Sequence, residues 1–246
     1  MLEVSRCRAA YGGLTVFDEI SFRLDYGRTA AVVGPSGCGK STLLALLAGI
    51  KSPRAGQVVL DGADVIRGDR RVGLILQHYG LFPWMTVSQN VALGLRLRGM
   101  PPAQRRTIVY RELQRLEIEE YAGRYPGELS GGQQQRVAIA RTFAVGPQLL
   151  LMDEPFSALD ALTRERIQDA LVRRLAGGRV VTIFVTHSIE EAVFLGTSVM
   201  VFEPGAPARI RILENEHRLE PSFRMSALYG ERCRSVRSIL EASHAP

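Results

Sequence analysis

GPSGCGKST, the run Gly34-Pro35-Ser36-Gly37-Cys38-Gly39-Lys40-Ser41-Thr42, lies between the apolar segment TAAVV and the apolar-periodic segment LLALLAGI. This order predicts a buried strand, a glycine turn and then a helix, the context in which G-x-x-x-x-G-K-S carries chemical meaning. Gly34, Gly37 and Gly39 let the backbone reach positive φ. Successive N–H groups can then face one concavity, to which the helix adds the positive end of its dipole. A polyphosphate suits such a concavity, with Lys40 reaching its terminal phosphates and the Ser41 hydroxyl ligating a magnesium ion that bridges them. Of 31 basic residues only Lys40 and Lys51 are lysine. A chain that writes arginine almost everywhere keeps a slim ammonium here, where a planar guanidinium would not fit.

The 246 residues, 46% of them hydrophobic, suffice to bury a core as one domain over 1–246, with room for an inserted lobe. No apolar run approaches the ~18 residues that span a bilayer, and MLEVSRCRAA lacks the apolar centre of a secretory signal. These features point to the cytosol, or to a membrane surface reached through a partner. Cys7, Cys38 and Cys233 have no metal-ligand spacing and cannot all pair with one another, which fits a reducing compartment. Two readings stand for Cys38: a thiol activated by Lys40 and the helix N-terminus, or a small filler residue. The net charge of +6 is spread along the chain with no basic tail interleaved with aromatics, so a solvated surface is expected rather than a nucleic-acid partner.

From Leu2 to Leu24 short apolar–polar alternations flank Tyr11-Gly12-Gly13, which predicts an antiparallel hairpin with Tyr11 at its turn. VVLDGADV, with its Asp-Gly turn signal, and RVGLILQ follow as further strands, the second ending at Gln77. HYGLFPWMTV then concentrates large apolar groups around Pro83. VALGLRLRGM, the Pro101-Pro102 break and a repeat with Ile108, Val109, Leu113 and Leu116 at helical spacing predict a mostly helical lobe over about 79–144. Beyond it come the strand LLLMD, a helix over SALDALTRERIQDALVRRLA with leucines and Ile167 on one face, a break at Gly177-Gly178, and the strand VVTIFVTH ending in His187. The tail, about 204–246, carries a strand signal in ARIRIL and an arginine-rich helical end, too short for a second domain.

Two further features carry chemistry. Ser130, Gly131, Gly132 and Gln133 open a helix whose apolar side includes Val137, Ile139, Ala140 and Phe143, so exposed N–H groups and a hydroxyl form a second anion site. Asp153 and Glu154 end a buried strand of the type found in parallel sheets, which place ligands at their carboxyl ends. With the phosphate cradle these are the parts for attack of water on a γ-phosphate. Asp153 stays ionised near the metal, Glu154 orients or deprotonates the water, His187 contacts the γ-phosphate, and Gln77 senses metal and water together.

These motifs resemble those of the nucleotide-binding subunits of ATP-binding-cassette (ABC) transporters, in particular importers of the nitrate, sulfonate and taurine type. The resemblance covers nearly the whole chain. Tyr11 falls where the family stacks an aromatic on adenine, Gly34 to Thr42 is the Walker A loop, and Gln77 is the Q-loop glutamine. LSGGQ, Leu129 to Gln133, is the family signature. Leu149 to Glu154 is Walker B with the catalytic glutamate, Ser157 to Asp160 is the D-loop, and His187 is the switch histidine. The resemblance implies an α/β fold with a P-loop NTPase core, an N-terminal antiparallel β subdomain and an inserted α-helical subdomain. It also implies ATP and Mg²⁺ as cofactors, with Ser41, Gln77 and Asp153 toward the metal, and peripheral placement on the cytoplasmic face of the membrane. In the family the signature of one subunit closes over the ATP held by another, which implies a dimer with two composite sites. Transmembrane permease subunits are the implied partners, docking on HYGLFPWMTV, with a solute-binding protein reached through them. Soluble ABC ATPases acting on nucleic acid or ribosomes share the motifs. They usually carry a long coiled-coil insertion or tandem cassettes, neither of which is present. The transported solute is not legible.

Overall fold

The computed structural model describes residues 1–246 except 12–13, 158, 176–177, 204, 206, 216–219 and 243–246, and the side chains of Tyr11 and Leu14 also lie outside the described part. The chain opens with β1 (Leu2–Tyr11) and β2 (Leu14–Leu24), paired antiparallel from Leu2↔Leu24 to Tyr11↔Leu14 with register shifts between Val4 and Ala10. The expected hairpin is present, although its Gly12-Gly13 turn lies outside the described residues. β4 (Ala55–Leu60) and β5 (Ala63–Asp64) complete a four-stranded sheet in the order β2-β1-β4-β5.

The second sheet runs β10 (Ile210–Glu214), β9 (Ser198–Phe202), β3 (Thr29–Val33), β8 (Val181–Val185), β7 (Leu149–Asp153), β6 (Val72–Ile75). All neighbours are parallel except β10, which runs antiparallel to β9. β3, β8 and β9 are buried at every position, as expected for strands covered on both faces, where polar alternation has no place. The pleat divides them by parity. Ala30, Val32, Leu149, Leu151, Ile183 and Val185 join one core with α1 (Lys40–Leu47) and the antiparallel sheet. Ala31, Val33, Leu150, Met152 and Phe184 join the other.

That second core is formed by α2 (Val87–Leu97), α3 (Pro102–Arg115), α4 (Gly131–Ala144), α5 (Ala161–Leu175), α6 (Ile189–Leu195) and α7 (Ala227–Ala242). α2 and α3, inserted between β6 and α4, pack on each other and on α4, which in turn lies against β6. Within α5, Ile167, Leu171 and Leu175 are buried at helical spacing, whereas Leu162 in the first turn is 70% exposed. The short tail is part of this layer: β10 extends the sheet, and α7 packs on α6 and β9.

Two boundaries differ from the sequence reading. β6 stops at Ile75, and Gln77 lies in the turn closed by Tyr79 N–H donating to Leu76 O at 2.9 Å. β8 stops at Val185. Thr186 N–H still donates to Val32 O (3.1 Å), but Thr186 Oγ1 then accepts from Ser188 N–H (3.1 Å) and turns the chain, so His187 also stands two residues past its strand.

Candidate functional site

Strand register places the site. Val32, Val185 and Asp153 lie level across β3, β8 and β7, and Ile75 pairs with Met152. The residues that follow each strand therefore emerge along one carboxyl edge: Gly34 after β3, His187 after β8, Glu154 after β7 and Gln77 after β6.

The loop from Gly34 to Gly39 needs its glycines for space as well as for φ. A Cβ on Gly34 (φ 152°) would lie 2.5 Å from Phe202 O, and one on Gly39 (φ 103°) would lie 2.4 Å from Val16 Cγ1. Gly39 caps α1 in the left-handed region with no side-chain cap bond. The first intrahelical bond there is Leu43 N–H to Gly39 O (2.9 Å), so the N–H groups of Lys40, Ser41 and Thr42 precede it and have no intrahelical acceptor, which suits an anion. Pro35, Ser36 and Gly37 form the arch of the loop. Lys40 is buried, and its Nζ donates to Gly34 O (2.8 Å) and Pro35 O (2.7 Å), so the ammonium sits inside the cradle.

Cys38 is buried, with Sγ 3.9 Å from Lys40 Nζ. Burial pushes its thiol above the usual value, outweighing the pull of Lys40. Of the two readings of Cys38, desolvation that outweighs the positive field favours the small filler over the activated thiolate.

Burial and the adjacent Glu154 charge raise the Asp153 carboxyl above the usual range, against the opposing pull of Ser41 and Lys40. Glu154 has a positive φ of 45°, and its N–H donates to Val185 O (3.0 Å). This conformation, unusual for a residue with a Cβ, turns its carboxylate out of the strand line. Gln77 Nε2 donates to Glu154 Oε2 at 3.1 Å, and His187 Nε2 lies 2.7 Å from Glu154 Oε1. Three residues that sequence placed on three separate strand ends thus share one carboxylate.

Further residues brace this edge and carry no sequence motif of their own. Thr186 Oγ1 donates to the buried Glu191 Oε2, Ser188 Oγ accepts from Glu191 N–H (3.1 Å), and Arg164 Nε lies 3.5 Å from Glu191 Oε1. Burial raises the Glu191 carboxyl, with Thr186 and Arg164 opposing it. On the Gln77 side, Arg141 of α4 donates to Tyr79 O (2.7 Å) and Gly80 O (2.6 Å). Asn90, fully buried, bonds both the N–H and the carbonyl of Phe82 and the carbonyl of Met85. The loop it holds leaves Trp84 69% exposed, its ring centroid 5.5 Å from that of Phe82. Only tertiary contacts give Thr186, Glu191, Arg141 and Asn90 these roles.

The second anion motif lies at the start of α4. Ser130 Oγ accepts from Gln133 N–H (3.3 Å), and Gln133 Oε1 accepts from Ser130 N–H (2.8 Å), forming a capping box. Ser130 and Gly131 are exposed. Gly132 packs tightly on α5, where a Cβ would meet Thr163 Cγ2 at 2.6 Å. Asp160, at the head of α5, accepts from Thr163 N–H (3.0 Å), and that bond holds its carboxyl below the usual range. Of the D-loop run 157–160, Ala158 lies outside the described residues. Tyr11 is the last residue of β1, and its place against a base lies outside the described side chains.

A glycine arch at a helix N-terminus, with a buried lysine, a Ser–Asp pair and a carboxylate facing glutamine and histidine, defines a P-loop nucleotide hydrolase. The family model described as ABC transporter matches residues 17–157. The taurine import ATP-binding protein TauB of Escherichia coli O157:H7 is 42% identical over 238 residues, covering 97% of this chain and 91% of the relative. Among solved structures, the dimeric post-hydrolysis state of the ATP-binding cassette MJ0796 bound to ADP and Pi superposes with a TM-score of 0.77 and 29% identity, over 88% of this chain and 100% of that one. The cbiO1 protein from Clostridium perfringens, part of the cbiONQ ABC transporter complex, gives 0.80 and 26% over 99% and 97%. This chain belongs to the ABC transporter family of ATP-binding cassettes, and it is an ATPase.

Proposed function

We propose that the chain powers an importer of a taurine-like sulfonate by binding and hydrolysing ATP between two copies of itself. The observation that carries the mechanism is the convergence of Gln77 and His187 on both oxygens of Glu154, beside Lys40 and Asp153. A carboxylate gripped on both sides keeps one orientation, as a general base for water requires. Lys40, which now bonds the carbonyls of its own loop, turns to the terminal phosphates, and the N–H groups of Lys40, Ser41 and Thr42 take the phosphate oxygens. His187 holds the γ-phosphate side of the site, and Gln77 links it to the loop that ends in Trp84. Tyr11 is assigned to the adenine.

The Ser41 hydroxyl and the Asp153 carboxylate, with Gln77 at the same sheet edge, offer the few hard oxygens that suit Mg²⁺, an ion that fills its remaining positions with water and phosphate. When bound, it supplies charge neutralisation of the phosphates and fixes their orientation.

Ser130, Gly131, Gly132 and Gln133 are assigned to the partner's nucleotide, with Asp160 at the same seam. The exposed loop around Pro83 and Trp84 is assigned to the transmembrane permease, through which the solute-binding protein is felt. Among the described residues no helix is long and apolar enough to cross a membrane; peripheral attachment at the cytoplasmic face is assigned on the similarity to an importer's ATP-binding protein. The sulfonate assignment rests on the 42% identity to TauB. Its test is reconstitution with the cognate permease in liposomes: taurine-loaded binding protein should raise ATP turnover several-fold, and equal turnover with and without taurine would remove the sulfonate reading.

A further inference from the structure

We infer that a cavity remote from the nucleotide loop, between α3, α4 and α5, binds a small organic polyanion, a molecule with phosphate or sulfonate groups on an apolar body. The cavity measures about 660 Å³, a size that suits a small molecule. Five arginines line it: Arg115 from α3, Arg136 from α4, and Arg166, Arg173 and Arg174 from α5. Leu116, Ile139, Phe143 and Ala170 supply apolar surface between them.

Three acids also line the cavity, and each is already engaged. Glu112, almost wholly buried, is 2.8 Å from Arg115, with Arg111 and Arg174 at 3.6 and 3.7 Å. Glu117 pairs with Arg136 at 3.3 Å, and Asp169 with Arg224 at 2.5 Å. Among the described residues Arg166 and Arg173 have no acidic partner. Arg174 lies over the Phe143 ring at 4.4 Å, and its Nε is buried without a hydrogen bond. Burial holds the Arg174 guanidinium below the usual arginine range, and Arg115 and Arg111 push the same way against Glu112.

The cavity therefore holds a surplus of positive charge that is partly desolvated. Arg174 Nε is buried beyond hydrogen-bond distance of Glu112, its nearest acid, and so keeps capacity for a further acceptor. Guanidinium forks match the oxygens of phosphate and sulfonate in bidentate fashion. The apolar surface favours an organic anion over an inorganic one. Among the described residues no glycine loop or helix N-terminus lines the cavity, so its chemistry is separate from that of Gly34 to Thr42. An anion held there would join the inserted helices to α5, where Glu112 already reaches Arg174.

The test is isothermal titration of naphthalene-1,5-disulfonate into the full chain with MgATP saturating the nucleotide site. One site per chain is expected, weakened at least ~10-fold, about 1.4 kcal/mol, by Arg166→Ala/Arg173→Ala and also weakened by added salt. Both residues are exposed, so the fold should survive, as its melting curve would show. Arg54→Ala/Arg209→Ala, outside the cavity, should bind as the wild type does. Arg173→Lys, which keeps charge and loses the fork, should fall between. Displacement by ATP, equal loss in the Arg54/Arg209 pair, or no saturable binding would each overturn the proposal.

Discussion

The N-termini of α1 and α4 both follow glycine-containing runs suited to phosphate, yet they end up in opposite conditions. Gly39 begins α1 with no side-chain cap, which leaves the donors of the first turn for a ligand, and Lys40, Asp153, Glu154, Gln77 and His187 gather around it. Ser130 begins α4 with a complete capping box. That end satisfies two of its own N–H groups, those of Ser130 and Gln133, faces solvent, and has its first intrahelical bond at Gln134 N–H to Ser130 O. One terminus has a charged site gathered around it and the other is capped by itself. A charged site gathered at α1 and a self-capped, exposed phosphate motif at α4 are what our proposal of nucleotides shared between two chains requires.

The comparison is broken most severely at the carboxylate. Glu154→Gln should lower ATP turnover by about 10³-fold, within the range for losing a general base, while ATP binding measured with a fluorescent analogue stays intact. Loss of binding instead would make Glu154 a structural residue of the loop. Lys40→Ala acts one step earlier: it removes a charged donor worth about 1.5–3 kcal/mol, so ATP affinity of the isolated chain should fall roughly 10- to 100-fold.

The α4 end should behave differently. Ser130→Ala should leave ATP affinity of the isolated chain unchanged and lower turnover at high protein concentration. It should also reduce unfolding stability by about 1 kcal/mol through the lost cap, read by urea titration. A drop in monomer ATP affinity would place the motif in its own chain's site.

Cys38 gives the smallest effect and sharpens the picture of the α1 loop. A thiol whose value is raised holds less thiolate at every pH below it, so maleimide labelling of Cys38 at pH 7.5 should be slower than in the urea-unfolded chain and should climb as pH passes 9. Fast labelling at pH 7 would restore the activated thiol.

Much of this was legible because the site is built from contiguous motifs at strand ends. Apolar runs such as TAAVV and VTIFV announce buried strands, and G-x-x-x-x-G-K-S announces its own turn. β9 and α6 were not read: SVMVF follows Gly196 with little punctuation, and seven residues are too few to show a helical period. The reactivity of Cys38 was undecided because burial, a tertiary quantity, controls it. Gln77 and His187 were assigned one by one, and nothing local says that both bond to Glu154. Nor could sequence show that Arg141 reaches Tyr79 and Gly80 from a distant helix, or that the nearer pairs Thr186–Glu191 and Asn90–Phe82 fix the loops on either side, since no pattern of residue types marks those bonds.

The most direct test of the two-chain site is light scattering of the Glu154→Gln chain with and without ATP and Mg²⁺. With nucleotide the mass should rise from the 27.1 kDa of one chain to about twice that value as two copies close on two nucleotides, and adding Ser130→Arg should abolish the rise while ATP still binds. A chain that binds ATP fully and stays at 27.1 kDa would contradict the shared site.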